Sequence, residues 1–239
     1  MADNPAPVLG AASEKGPKRP LNADAYAHHV HNGRLAVAVV DGTGSTPEVA
    51  EFAQLAAQVA ARVAARRTPV WGVMAAAELC ADPTGAHPGP VTNGAIVVAT
   101  AMPDREWLIA WSGDSDAYGW DADDRGVWRL TTPHTEGQRM REAGEADEEA
   151  RRHDNVLLRS LRTAPTDGID AVRSEARYLI LASDGLHRLP ADEMAAILTE
   201  HSDDPETCAQ QLVKAGREHS NDDITVLVLQ HPHPKDERG

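Results

Sequence analysis

Four aspartates of this chain lie where short apolar segments begin or end. Asp41 closes the run LAVAVVDG (35–42), whose uninterrupted apolar pattern is typical of a strand buried on both faces. A carboxylate at the end of such a strand lies at the mouth of the core. Because three further segments repeat the arrangement, the sequence predicts one acidic pocket along an edge of a sheet. Their acids are Asp114 after 109–111, Asp184 after 178–181 and Asp222 before 224–229.

Carboxylates that face one another repel unless a cation lies between them. Hard oxygen ligands of this kind favour magnesium or manganese over zinc. Two such ions, about 3.5 to 4 Å apart, can activate a shared water and clamp a phosphoryl group for in-line displacement. The two cysteines, Cys80 and Cys208, are too few for a disulfide framework or a zinc site. The pocket therefore favours phosphate chemistry over redox chemistry.

Each acid also has a purely structural interpretation. Asp-Gly, found at 41–42 and 184–185, is a common turn pair. Asp114 could cap a helix, and Asp222 could be a turn residue after 220–221. Any one of these acids taken alone is more simply a turn or cap residue, and it is their joint occurrence that favours a metal site.

The composition is that of a globular protein. The chain has 239 residues, of which 41% are hydrophobic and 25% charged, which suits one sizeable domain. The net charge of −14 and the lack of a basic cluster argue against nucleic-acid binding. We find neither a secretory signal pattern nor an apolar run of membrane-spanning length, which predicts a cytoplasmic protein without a membrane partner.

The spacing of apolar residues predicts antiparallel strands interrupted by a few helices. Asn32-Gly33 is a hairpin signal that leads into the central strand. Ser45 or Thr46 can cap a helix that begins at Pro47 and runs to about Arg66. Sequential hairpins favour antiparallel pairing. Further strands are predicted at 96–101, 107–111, 118–120, 127–130, 178–182 and 224–230, and helices at 70–80, 191–200 and 205–218.

The predicted domain boundaries lie where the regular spacing of apolar residues ends. Residues 1–18 are predicted to be an N-terminal arm, loose or forming a short edge strand, and residues 231–239 a disordered tail. The domain between them covers 19–230. Within it, the stretch from 135 to about 170 is polar and helical with a break at Gly144, and is the least core-like part of the chain.

Seven short segments, in this order and spacing, resemble the metal-dependent serine/threonine protein phosphatases of the PPM, or protein phosphatase 2C-like, family. The resemblance spans 19–229, and although no single motif is decisive, the series is specific. The segments are NAD (22–24), VVDGTG (39–44), TNGAIVVA (92–99), WSGDSDAY (111–118), LTTPHT (130–135), ILASDGLHRL (180–189) and SNDDITVLVL (220–229).

The resemblance implies an α+β fold, a four-layer α-β-β-α sandwich with the metal site between two antiparallel sheets. It implies two or three Mn²⁺ or Mg²⁺ ions. Asp41 would bridge two of them, with the carbonyl of Gly42 on the second ion, while Asp184 and Asp222 would hold the first. The remaining implied ligands are Asp114, for a third ion, and Asp24, a minor or water-mediated contributor.

The resemblance also implies the reaction. A metal-bridging hydroxide would attack phosphoserine or phosphothreonine in proteins phosphorylated by serine/threonine kinases, without a phosphoenzyme. Arg19 matches the position of a phosphate-binding arginine that stabilises the equatorial oxygens. Its alternative is a solvated charge on a mobile arm. The short flap at 135–170 would border the pocket and influence the choice of substrate.

Five positions depart from the family pattern. Ala23 replaces a metal-binding Glu, and Thr43 follows the bridging Asp-Gly where many members have Met or His. Asp116 replaces the Arg after Gly-Asp-Ser, Pro133 replaces the Asp of an Asp-His pair, and Asp223 replaces the Asn of Asp-Asn. The last change would add negative charge beside the metals. Ala23, Thr43 and Pro133 motivate the hypothesis of an inactive PPM-fold binding module, and the retention of Asp41, Asp184 and Asp222 argues against it.

A third hypothesis is an SGNH-type esterase. Gly-Asp-Ser at 113–115 supplies Ser115, and the Asp-x-x-His of Asp184 and His187 would complete a triad. This interpretation leaves Asp41 and Asp222 unexplained and places the serine in mid-chain. The sequence favours a structural role for His187, as for His134.

Overall fold

The computed structural model describes residues 8–80, 92–121 and 126–232, and within them ten strands form two antiparallel sheets of five strands each. The first sheet has the order β2-β3-β4-β5-β8 and the second β1-β10-β9-β6-β7. The first comprises β2 (Asp24–His31), β3 (Arg34–Gly42), β4 (Gly94–Ala101), β5 (Trp107–Ser112) and β8 (Asp170–Ser174). The second comprises β1 (Leu9–Glu14), β6 (Asp116–Asp121), β7 (Gly126–Arg129), β9 (Tyr178–Ala182) and β10 (Ile224–Gln230).

Helices cover the outer face of each sheet. On the first sheet lie α1 (Pro47–Arg66) and α2 (Pro69–Ala77). On the second lie α6 (Ala191–Glu200) and α7 (Pro205–His219). The short helices α3 (Glu136–Glu142), α4 (Asp147–Ala150) and α5 (Ala164–Asp167) lie in the connection to β8. The predicted four-layer sandwich is confirmed.

The core has three apolar layers, because the central strands are buried on both faces. Along β3 the side chains alternate, so Ala38 and Val40 pack against α1 while Val37 and Val39 face the second sheet. Leu179 and Leu181 of β9 meet them from that sheet. The uninterrupted apolar runs of the sequence therefore have the physical cause expected of strands buried on both sides.

Helix α1 begins as predicted. The hydroxyl of Thr46 accepts a hydrogen bond from the amide of Val49, and Pro47 occupies the first turn. Alanines dominate its buried face, and this small side chain lets the helix lie close to the sheet.

The termini of the described chain are integrated into the sandwich. Residues 9–14 form β1, an edge strand paired with β10, which is the second of the two alternatives for the arm. At the other end His231, the first residue of the predicted tail, is buried edge-on against Trp107. Residues 1–7 of the predicted arm, 233–239 of the predicted tail, and residues 81–91 and 122–125 lie outside the described residues.

The connection at 135–170 differs most from expectation. The predicted helical stretch is broken into α3, α4 and a 3-10 turn at Arg151–His153, and Gly144 ends α3 with a φ of 81°. Strand β8 was not predicted, because DAVRS has few apolar residues and its burial comes from pairing with β5. Helix α2 ends at Ala77, three residues before the predicted end.

Candidate metal centre

Asp24 and Asp41 lie directly opposite each other on neighbouring strands. They are register partners at the start of β2 and near the end of β3. Alternation along β3 turns Asp41 to the same side as Val37 and Val39, into the space between the sheets. The amide of Gly42 donates to the carbonyl of Ala23 at 3.1 Å, which ties the two strand ends together.

Asp184 and Asp222 reach the same space from the second sheet. Asp184 opens a 3-10 turn directly after β9, and Asp222 lies two residues before β10. Because β9 and β10 are antiparallel neighbours, the end of one and the start of the other meet at one sheet edge. The amide of Ser183 donates to the carbonyl of Thr225 at 3.0 Å and fixes this meeting point.

Asp114 lies in the turn that crosses from β5 to β6, and hence from one sheet to the other. Gly113 has a φ of 112°, in the left-handed region that favours glycine. His134 holds this turn, since its Nδ1 accepts from the amide of Gly113 at 3.2 Å and its Nε2 lies 3.1 Å from Oδ2 of Asp170. The structural role predicted for His134 agrees with these contacts.

The pKa values show that the five acids act on one another. Burial, followed by the charges of Asp184, Asp24, Asp114 and Asp222, raises the pKa of Asp41 well above its usual value. Burial and the charge of Asp184 likewise raise the pKa of Asp114 to about 7. Burial also raises the pKa of Asp184, and the charge of Asp222 acts in the same direction.

Ser183 and Arg19 bind the carboxylates of Asp24 and Asp222. Ser183 donates from Oγ to Oδ2 of Asp24 at 2.6 Å, and burial nevertheless raises the pKa of Asp24 to about 7. Arg19 donates from Nη2 to Oδ1 of Asp222 and from Nη1 to the carbonyl of Gly44 at 3.3 Å. The predicted phosphate-binding arginine is therefore held against a predicted metal ligand.

The donor set suits a hard divalent cation, because it consists of carboxylates that burial and mutual repulsion drive toward protonation. Among the described residues, no three His, Cys, Asp or Glu side chains are arranged as a ready-made metal cage. A cation at Asp222 would have to separate this carboxylate from Arg19.

Asp223 does not point at this group. Its side chain accepts from the amides of Gly16 at 2.7 Å and Ala23 at 2.8 Å, and only 4% of the residue is exposed. The acid in place of the family's Asn thus attaches the segment that carries Arg19. Ala23, also buried, contributes its backbone to the site and no carboxylate.

Asp116 forms the centre of a second buried polar group, which the sequence did not predict. It accepts from Arg129, Tyr118 and Thr131, and lies 2.8 Å from Nε2 of His187. Despite burial, His187 and Arg129 lower the pKa of Asp116 to about 2. Asp116 in turn raises the pKa of His187 to about 9, against the effect of burial. One feature of the sequence could have indicated this group: Asp116 stands where the family has Arg, and a buried acid there requires a cationic partner.

The contacts of Ser115 do not support the esterase hypothesis. Its Oγ is buried and has no hydrogen-bond partner among the described residues. His187, the proposed base, contacts Asp116 and the carbonyl of Asp114 at 2.8 Å instead. A nucleophilic serine needs a hydrogen-bonded base, and none is present.

A cavity of about 1200 Å³ opens onto two of these aspartates, Asp184 and Asp222. Arg19 also lines it, as do residues of the predicted flap, among them Arg151, Arg152, Asp154 and Asn155. The flap therefore borders the cavity.

Solved structures similar to this fold include bacterial serine/threonine phosphatases of the PPM type. MsPP from Mycobacterium smegmatis, in complex with cacodylate, is 23% identical with a TM-score of 0.74, and the match covers 94% of this chain and 99% of that one. Stp1 from Staphylococcus aureus is 18% identical with a TM-score of 0.79, covering 96% and 97%. The catalytic domain of PstP with two manganese ions is 20% identical with a TM-score of 0.66, covering 93% and 96%.

At these identities the likeness establishes the fold. No protein-family model matches the sequence, and no curated protein does. Within the part of the chain described, no helix has the length and apolar character needed to cross a bilayer.

Proposed function

We propose that this chain, which has the fold of the PPM phosphatases, hydrolyses phosphoserine and phosphothreonine in proteins with the aid of divalent cations. One observation carries the proposal: four aspartates from distant parts of the chain act on the pKa of Asp41, and two of them, Asp184 and Asp222, line one large cavity beside Arg19. Neither a turn nor a helix cap requires such convergence. The substrates would be cytoplasmic phosphoproteins made by serine/threonine kinases.

The cations would be Mn²⁺ or Mg²⁺, two or three in number, as the bound manganese of the PstP structure also suggests. Asp41 with the carbonyl of Gly42, together with Asp184 and Asp222, would hold two of them. Asp114 would serve a third, and Asp24 would act through water or weakly. When bound, such ions lower the pKa of water and neutralise phosphoryl charge.

The residues of the chain supply position and charge. Arg19, released from Asp222, would donate to the phosphoryl oxygens of the substrate, and its second contact with the carbonyl of Gly44 keeps it near the site. Ser183 and Asp223 position Asp24 and the arm of Arg19. Between the two sheets the aspartates are partly shielded from water, which strengthens their attraction for cations.

An inactive binding module is the second candidate, and the contact between Arg19 and Asp222 is the observation that favours it. If the arginine replaces a cation permanently, the pocket binds phosphoproteins without hydrolysing them. Because Ala23 supplies no carboxylate, the second ion would be bound more weakly. This also favours the binding module.

Hydrolysis of p-nitrophenyl phosphate distinguishes the hypotheses. We expect turnover with manganese, none with EDTA, and a loss of about 100-fold or more in Asp184→Asn and Asp222→Asn. Ser115→Ala should retain the activity. Turnover that survives EDTA but disappears in Ser115→Ala would indicate an esterase-like enzyme, and a folded protein inactive with every divalent metal would indicate a binding module.

A further inference from the structure

We propose that the cavity selects phosphorylated segments that carry further anionic groups beside the phosphorylated residue. These groups are the carboxylates of flanking Asp and Glu or a second phosphoryl group. The inference rests on the proposed function, because it names the class of phosphoprotein segment that the same site accepts.

The charge of the cavity is opposite to that of the protein. Acids outnumber Lys and Arg by 37 to 23 in the chain as a whole. The lining of the cavity has seven Lys or Arg side chains, besides His187, and three acidic ones. Besides Arg19 and Arg129, the basic ones are Lys18, Arg141, Arg151, Arg152 and Arg188.

Lys18 and Arg188 are free to bind a ligand. Both are exposed, and neither forms an ion pair or hydrogen bond with any residue that the structure describes. Each is the sequence neighbour of a residue fixed at the site, Lys18 of Arg19 and Arg188 of His187. Two unpaired cations thus border the position at which the phosphoryl group would lie.

Arg151 and Arg152 extend this surface along the flap. Their partners are acids of the adjoining helix α4: Arg151 pairs with Asp147, and Arg152 with Glu148 and Glu149. The arginine side chains remain 72% and 63% exposed. Exposed pairs of this kind contribute little to stability, so the arginines can exchange these partners for acids of a substrate.

The size of the cavity agrees with a segment longer than one residue. Sites for compact ligands range from about 300 to 1000 Å³, and this cavity has about 1200 Å³. A phosphothreonine at Arg19 would leave room for neighbouring residues along the flap.

The test compares three phosphothreonine peptides of equal length. One has Asp and Glu at the flanking positions, one has Asn and Gln there, and the third adds a phosphoserine to the neutral peptide. Each is labelled with fluorescein, and its binding is measured by anisotropy in EDTA, where the proposed metal-dependent hydrolysis cannot interfere. The proteins are the unaltered chain, the double variant Lys18→Gln with Arg188→Gln, and a control of equal charge, Arg62→Gln with Lys214→Gln. The control residues do not line the cavity.

We expect the unaltered protein and the control to bind at least one anionic peptide about tenfold more tightly than the neutral one, with the preference falling steeply at high salt. The Lys18 and Arg188 double variant should reduce the preference to about twofold. Tighter binding of the Asp and Glu peptide would identify carboxylates as the recognised anions, and tighter binding of the phosphoserine peptide would identify a second phosphoryl group. Equal binding of all three peptides, or a preference that the control loses equally, would overturn the inference.

Hydrolysis separates this inference from the proposed function. With manganese, turnover of p-nitrophenyl phosphate without any preference among peptides would retain the proposed function and refute anionic selection. Selective binding without hydrolysis under any metal would refute the proposed function and support recognition of anionic flanks.

Discussion

Arg19 donates a hydrogen bond from Nη2 to Oδ1 of Asp222, so the predicted phosphate ligand and a predicted metal ligand neutralise each other. About a third of each side chain is exposed, 34% for Arg19 and 38% for Asp222. Metal binding at Asp222 and phosphoryl binding by Arg19 are therefore linked, because each requires the pair to separate.

Arg19→Ala should have opposite effects on metal affinity and on catalysis. Removal of the guanidinium frees Asp222 and removes a positive charge, so manganese should bind about three- to tenfold more tightly in a calorimetric titration. Loss of the phosphoryl contact should reduce kcat/KM for a phosphothreonine peptide by about 100-fold. Weaker manganese binding in this variant would show that the pair does not compete with the metal.

The stabilising effect of manganese should increase with pH. Burial holds the pKa of Asp24 and Asp114 at about 7, above the ordinary 3.8, so protons stabilise the fold at these sites. Without metal, that contribution is lost as the pH rises through 7. A cation replaces the protons, and its effect on Tm should be larger at about pH 8 than at about pH 5.5. Asp41→Asn should raise the metal-free Tm at the higher pH and reduce the response to manganese, whereas the exposed Asp203→Asn should match the unaltered protein. An equal shift at both pH values would argue against protonated carboxyl groups.

His187→Gln should destabilise the protein most at low pH. The pKa of His187 is about 9 in the folded protein against an ordinary 6.5, so its stabilising contribution is complete below pH 6.5 and is lost as the pH rises through 9. Urea unfolding at pH 6 should show a loss of about 2 kcal/mol, since a partly buried partner of Asp116 disappears. The difference from the unaltered protein should shrink above pH 9. The exposed His28→Gln is the control, and a difference independent of pH would contradict a charged His187.

Asp223→Asn tests whether this acid stabilises the backbone by its hydrogen bonds or changes metal binding by its charge. An amide has one acceptor oxygen for the two amides of Gly16 and Ala23, so one of them loses its partner. We expect a loss of about 1 to 3 kcal/mol in the free energy of unfolding, measured with urea. Asp203→Asn again provides an exposed control. Unchanged stability together with tighter manganese binding would mean that the charge of Asp223 acts on the metals.

The elements that position the site could be predicted from local patterns. Strand β3 has a continuous apolar run, α1 has a cap and an apolar stripe, and the bounds of β9 and α6 are those predicted. Asp41 and Asp184 were proposed as site residues because four acids repeat the same arrangement at strand ends, although Asp-Gly alone is a common turn pair. The local sequence was sufficient to predict strands that are buried on both faces, because such strands have an uninterrupted apolar pattern.

The rest depends on partners that are distant in sequence. Strand β8 is stabilised by pairing with β5, and its own five residues have no strong strand signal. The contacts of Asp223 with Gly16 and of Asp116 with His187 join residues far apart in the chain. The basic lining of the cavity likewise combines cations from several segments, so a sequence with no basic cluster still forms a basic surface.

Whether the converging aspartates hydrolyse phosphate esters with a metal is decided by phosphate release from a phosphothreonine peptide, measured while manganese is titrated into the unaltered protein and into Asp41→Asn. We expect saturable, manganese-dependent release by the unaltered protein and a rate at least about 100-fold lower in the variant at every concentration. Release that is independent of manganese, or equal in the two proteins, would contradict a metal-dependent hydrolytic centre built on the converging aspartates.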